Sequence, residues 1–210
     1  ITQSDHPYCT DGVVEIPFGE EGETREIRLV RIHMEEDAGK NTHVPGEDVS
    51  LVDYNRAGAP LLEIVSQPDV RSAAEAAAYM RELRTIIRYL DISDANMEEG
   101  TLRCDANVSI RKGPDAPFGT RCEIKNLNSF KFLEAAINAE IRRQVDLVEG
   151  GGKVVQSTMS YDPNRDVTRV MRTKEEAADY RYFPEPDLPP LVITEDWITS
   201  MRSEMPELPA

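Results

Sequence analysis

The chain has 210 residues, 40% of them hydrophobic, enough to bury one sizeable core and too periodic in its apolar positions for a disordered tail. Its 39 acidic and 24 basic side chains leave a formal net charge of −15, and a surface that acidic repels phosphate backbones, which argues against a broad nucleic-acid groove on this segment. No apolar run approaches the ~20 residues of a membrane span. Three cysteines without a CxxC pair (Cys9, Cys104 and Cys122) argue against a disulfide framework or a zinc site and suit a reducing cytoplasm or an organelle matrix.

The chain starts at Ile1 with no charged-then-apolar leader and reads as a piece of a longer polypeptide. A strand is expected over 13–17. Over 28–35, Val30, Ile32 and Met34 alternate with Arg31, His33 and Glu35, which predicts a strand with one polar face. Polar, glycine-containing loops follow at 35–40 and 53–58, then an apolar strand at 61–65. Ser72-Ala73-Ala74-Glu75 is a capping box, in which the serine and the glutamate three residues on satisfy free backbone N–H groups. Behind it Tyr79, Leu83, Ile86, Ile87 and Leu90 recur at helical spacing to about Leu90. Residues 102–110 alternate, with Arg103, Asp105, Asn107 and Ser109 on one face, and 121–125 repeat this with Arg121, Glu123 and Lys125. A second helix is expected over about 129–149, with Leu133, Ile137, Ile141, Val145 and Val148 on one stripe; Gly150-Gly151-Gly152 ends it, because glycine takes left-handed backbone angles freely. A strand at 167–171, a proline-rich closing segment at 184–190 and a short helix over 195–205 complete the chain. Runs of strands, two long helices and no regular βαβ alternation predict an α+β fold with a largely antiparallel sheet.

The polar sheet face repeats Arg, Asp, Asn, Glu and Lys, the groups needed to hold a metal and an anion together; the plainer alternative is a face turned to water. Glu35, Glu36 and Asp37 are adjacent carboxylates that repel unless a cation or hydrogen bonds compensate. A divalent metal compensates best, and Lys40 beyond Gly39 adds a charge for phosphate; an acidic turn is the other reading. His33 alone is more often a packed or surface histidine than a ligand. Glu63 sits in the apolar run Pro60-Leu61-Leu62-Glu63-Ile64-Val65, where an ionised carboxylate needs either a sheet edge or a cation. Glu98 and Glu99 add two acids just before Arg103.

With these residues identified, the chain resembles the B subunit of aspartyl/glutamyl-tRNA amidotransferase (GatB) and its archaeal relatives. The resemblance is carried by Arg31 to Lys40, Val52-Asp-Tyr-Asn-Arg-Ala-Gly58, Pro60 to Val65, Met97-Glu-Glu-Gly-Thr-Leu-Arg-Cys-Asp-Ala-Asn107, Glu123-Ile-Lys-Asn-Leu-Asn-Ser-Phe130 and Asp179-Tyr-Arg-Tyr-Phe-Pro184, six runs in family order over nearly the whole chain. It implies a cradle domain over 1–194, similar to the nucleotide-binding fold of glutamine synthetase, with 195–210 beginning the connection to a helical and tail region. It also implies ATP as a substrate, Mg²⁺, phosphorylation of the side-chain carboxylate of Glu-tRNA(Gln) or Asp-tRNA(Asn), ammonia from an A subunit, and a C subunit that clasps the other two. By resemblance Glu36, Glu63 and Glu123 are the candidate metal ligands, with Glu35 and Asp105 behind them. Arg103, Lys125 and Lys40 would hold phosphate or the substrate carboxylate, positioned by Asn55, Arg56, Asn107, Asn126 and Asn128. The family's preceding strand, whose Glu and His join the metal site, is not in this sequence, so this piece alone is expected to be inactive. Gln156-Ser157-Thr158-Met159 departs from the family's Gln-Glu-Thr-Arg, leaving open whether that strand meets substrate. A non-catalytic scaffold and an acidic, calcium-type binding module are the rival readings.

Overall fold

The computed structural model describes residues 3, 5–173, 187 and 189–208. The motif at 179–184 and most of the proline-rich segment at 184–190 lie outside the described residues. The chain divides into two compact units: one built on Ile1–Glu15, Thr24–Asp69 and Arg181–Val192, the other on Ile16–Glu23, Val70–Tyr180 and Ile193–Ala210.

The strands up to Asp69 are β1 (Cys9–Thr10), β2 (Val13–Pro17, which starts in the first unit), β3 (Thr24–Glu36), β4 (Lys40–His43), β5 (Ser50–Asp53) and β6 (Pro60–Ser66). β3 is the spine: β1, β2 and β6 all pair with it, while β4 and β5 form a separate hairpin whose residues are exposed. The β3–β6 pairing is antiparallel and sets His33 opposite Glu63 and Glu35 opposite Leu61. The strand expected over 28–35 therefore runs several residues longer at its start, because residues 24–27 find a partner in β2, which sequence alternation alone does not reveal. A bidentate ion pair from Arg28 to Asp69, at 2.9 and 2.7 Å, ties β3 to the chain beyond β6.

The second unit holds α1 (Ala73–Tyr89), β7 (Cys104–Val108), β8 (Cys122–Leu127), α2 (Phe130–Glu149), β9 (Ser157–Asp162), β10 (Val167–Thr173) and α3 (Glu195–Glu204). The Ser72–Glu75 capping box starts α1 as expected, with both reciprocal bonds made. The helix ends in a Schellman arrangement: Asp91 N–H bonds Arg88 C=O, Ile92 N–H bonds Ile87 C=O, and Asp91 supplies the left-handed residue at φ 52°. α2 ends the same way, with Gly151 at φ 82° in that place. The second sheet adds one parallel pair to the largely antiparallel arrangement expected. Its order is β10-β9-β8-β7, and the β8–β9 pair is parallel. A parallel pair cannot be joined by a tight turn, so the chain crosses over through α2, making one β–α–β unit inside an antiparallel-rich α+β fold.

α2, which packs against α1 and the sheet, buries Leu133, Ala136, Ile137, Ala139, Glu140 and Gln144, not the full apolar stripe. Val148 is exposed and Val145 only partly covered. The face rotates because Glu140 is buried completely and is saturated with donors. Arg143 Nε and Nη2 reach it at 2.9 and 2.6 Å, Gln144 Nε2 at 2.8 Å and Thr168 Oγ1 of β10 at 2.6 Å. Gln144 Nε2 also donates to the Val108 carbonyl of β7 at 3.0 Å. Burial by itself would push the Glu140 carboxyl up, but these bonds and the Arg143 charge hold it below the ordinary range. Among the described residues, no helix is long and apolar enough to cross a membrane.

Candidate functional site

In the first unit, the alternation of β3 puts Arg31, His33 and Glu35 on one face, and the β6 register adds Glu63 directly across from His33. His33 is 1% exposed, and its Nε2 lies 3.2 Å from Glu35 Oε1 and 3.5 Å from Glu63 Oε2. Its other nitrogen, Nδ1, accepts from Arg31 Nε at 3.3 Å. Glu63 is half exposed, so the lone acid of the apolar strand does project from the covered interior, toward a histidine and a second carboxylate. One donor atom from each of His33, Glu35 and Glu63 falls within 4.8 Å of the others. Two carboxylates and an imidazole at that spacing fit a divalent cation, and a hard ion such as Mg²⁺ would take the oxygens and fill its shell with water. Sequence reasoning does not single out His33; the available signal is its i, i+2 relation to Glu35 combined with the register that places Glu63 opposite. Glu36 is exposed on the next position of the strand and lies outside this cluster.

Asp37 is the structural pivot of the following loop. It is buried, receives Arg56 Nε at 2.8 Å, accepts the Gly58 N–H on its carbonyl, and donates its own N–H to the Ala59 carbonyl. Arg56 is thus engaged in bracing the 54–59 turn. Asn55 stands exposed in that turn, its N–H capped by Asp53 Oδ1 at 2.9 Å. Lys40 opens the β4–β5 hairpin opposite Asp53 and is exposed.

In the second unit, β7 and β8 bring Asp105, Asn107, Glu123 and Lys125 to one face as the alternation predicts, with Asn107 directly opposite Glu123. Cys122, Ile124 and Val108 are buried on the other face, while Cys104 and Ala106 are partly covered. Lys125 Nζ bonds Asp105 Oδ2 at 2.5 Å and lies 3.3 Å from Glu123 Oε1. Burial alone would lower the Lys125 ammonium, but Asp105 first and Glu123 second outweigh it and raise its pKa. Lys125 therefore offsets one of the two charges carried by Asp105 and Glu123. Asn107, Arg121, Glu123, Gln156, Ser157 and Thr158 line a small open cleft of about 110 Å³ on the same face. Arg103 is exposed and precedes β7 instead of lying in it. The departure at Met159 falls on the buried side, aligned with Ile124, while the retained Thr158 aligns with Glu123. The Ser157 hydroxyl turns to the Val155 carbonyl at 2.9 Å. Behind the sheet, burial and then the Asp105 charge push the Cys104 thiol up to about 12, which leaves it inert as a nucleophile.

Between Ile124 and Leu127 β8 carries one residue more than β7 does between Ala106 and Cys104, and Asn126 takes up the excess at φ 62°. The bulge returns Leu127 to the buried face after Lys125 has faced out. Asn126 thus has a backbone role, since asparagine is among the few non-glycine residues that tolerate this region. Asn128 is exposed just before Ser129, the N-cap of α2. Asn126→Gly should leave stability within a few tenths of a kcal/mol, whereas Asn126→Val should cost about 1–2 kcal/mol by urea unfolding. Equal losses for the two variants would show that the asparagine side chain, not its backbone, is what matters.

The α+β chain thus gathers two carboxylates against an imidazole on one strand pair, and a lysine between two acids on another. The sequence profile of the family described as the GatB/GatE catalytic domain matches residues 1–199, and the chain belongs to that family. It is 58% identical over its whole length to the B subunit of the aspartyl/glutamyl-tRNA(Asn/Gln) amidotransferase of Ralstonia pickettii, and 59% to that of Moorella thermoacetica, covering 44% of each. It is 57% identical over 99% of its length to the corresponding B subunit of Pseudomonas paraeruginosa, covering 43% of it. The chain thus spans less than half the length of these relatives.

Proposed function

We propose that this chain is the nucleotide- and metal-handling part of the B subunit of a tRNA amidotransferase, a carbon–nitrogen ligase that acts on Glu-tRNA(Gln) or Asp-tRNA(Asn) together with its A and C subunits. The observation that carries the reading is the convergence of Glu63 and Glu35 on His33 in a chain of this family. A carboxylate resists attack by ammonia because its leaving group would be an oxide. Transfer of the γ-phosphoryl of ATP to the side-chain carboxylate, with release of ADP, turns that oxygen into a phosphate leaving group. Ammonia from the A subunit then adds to the acyl carbon, phosphate departs and the amide remains.

The chain's part in this is positioning and charge neutralisation. Glu63 and Glu35 would hold Mg²⁺, with Glu36 as the neighbouring alternative on the same strand. When bound, the ion would offset charge on the phosphoryl oxygens. In the second unit Lys125 is kept protonated by Asp105 and Glu123 and offers a fixed cation to phosphate or the substrate carboxylate. Asn107 and Arg121, which line the cleft with Glu123, would orient that group by hydrogen bonds, and the exposed Arg103 would meet it from outside. Within the first unit, the exposed Lys40 would offer a charge to phosphate. Glutamine synthetase-type nucleotide binding on the sheet is part of the same proposal, supported by its polar face. The test is reconstitution of the full-length protein with its partners on misacylated tRNA. Amidated tRNA should form only with ATP and Mg²⁺ present. Product without nucleotide would exclude the phosphorylation step, and a preference for Ca²⁺ with no nucleotide effect would replace the reading with a binding module.

A further inference from the structure

Resting on the metal reading above, we infer that His33 is a positioning residue that holds Glu35 and Glu63 through its Nε2–H, and is not itself a metal ligand. A guanidinium has donors and no acceptor. Arg31 Nε, 3.3 Å from His33 Nδ1, can make that contact only if Nδ1 presents its lone pair. The ring proton then sits on Nε2, which faces Glu35 Oε1 at 3.2 Å and Glu63 Oε2 at 3.5 Å. A metal bound at Nε2 would need that proton moved to Nδ1, where it would point at the Arg31 N–H, donor against donor. Complete burial of the ring keeps water from relieving the conflict. A cation therefore binds the oxygens of Glu35 and Glu63, and His33 stands behind them, keeping two like charges at a fixed separation. Partners of this kind orient metal ligands and set their affinity without touching the ion.

Selective ¹⁵N-histidine labelling of the full-length protein without metal reads the tautomer directly. The signals that disappear in His33→Gln should show Nδ1 as the unprotonated ring nitrogen; a protonated Nδ1 with a bare Nε2 overturns the inference. The second measurement uses Mn²⁺ as probe. Its ¹⁴N hyperfine coupling should be the same in wild type and His33→Gln, and loss of a nitrogen coupling in the variant makes His33 a ligand. Mn²⁺ affinity should fall ~10–100-fold in His33→Ala and recover largely in His33→Gln, whose amide keeps a donor near the Nε2 position. No recovery, in a variant that folds, overturns the donor role. Failure of Mn²⁺ to bind the wild-type protein at all would instead overturn the metal reading on which the inference stands.

Discussion

Glu63→Gln in the full-length protein, assembled with its partners, is expected to lower ATP-dependent amidation by roughly 10²–10³-fold or more, the scale on which loss of one fixed electrostatic contact to a transition state is felt. The substitution keeps the size of the side chain and its place opposite His33 but removes the charge that would hold the cation. Half of the side chain is exposed, so little packing is lost and the fold should be unaffected. Glutaminase activity assayed without ATP should survive, since that chemistry belongs to the A subunit in the proposed reaction. A solvated acid on a sheet edge predicts otherwise: a stability change within roughly 0.5 kcal/mol and little change in rate. Measuring both activities on one preparation separates the two, and wild-type amidation by Glu63→Gln would remove Glu63 from the site.

Glu140→Ala should be the most destabilising of these substitutions, at about 3–5 kcal/mol. It deletes the acceptor for Arg143, Gln144 and Thr168 at once, taking that partner from the buried Thr168 hydroxyl and leaving Gln144 Nε2 with the Val108 carbonyl. That is a large share of the roughly 5–15 kcal/mol by which domains are stable. Replacing Glu140 and Arg143 together by leucine should recover part of the loss, because apolar pairs of similar volume do not need those bonds. The pH dependence follows from the same bonds. The Glu140 pKa is lowered by folding, so its stabilisation is complete above the unfolded carboxylate value of about 4.3 and is lost as pH falls through the folded value. Urea unfolding from neutral to acid pH should show this loss in wild type and a shallower one in the double-leucine variant. An additive pair, with no recovery, would mean that the network does not act as a unit.

Local signals are legible wherever one stretch of chain decides its own geometry. The capping box of α1, the glycine end of α2 and the alternation that places Asp105, Asn107, Glu123 and Lys125 together are readable because caps, left-handed glycines and the two-residue strand period are properties of a few adjacent residues. The bulge at Asn126 is also present in the spacing, since Cys122, Ile124 and Leu127 change from two residues apart to three. The apolar stripe of α2 misleads, because periodicity counts hydrophobic residues and cannot see that a glutamate has four hydrogen bonds waiting for it.

Family membership, most of the elements, and the face on which the charged residues of β7 and β8 stand are all written in the linear chain. Which charges meet is settled by folding. The β3–β6 register brings Glu63 to His33 from 30 positions along the chain, and a shift of one residue would turn it to the opposite face. Folding also sets Lys125 between Asp105 and Glu123, and commits Arg56 to Asp37. Pairing across strands depends on register and on what buries each face, which are long-range quantities that no local pattern encodes.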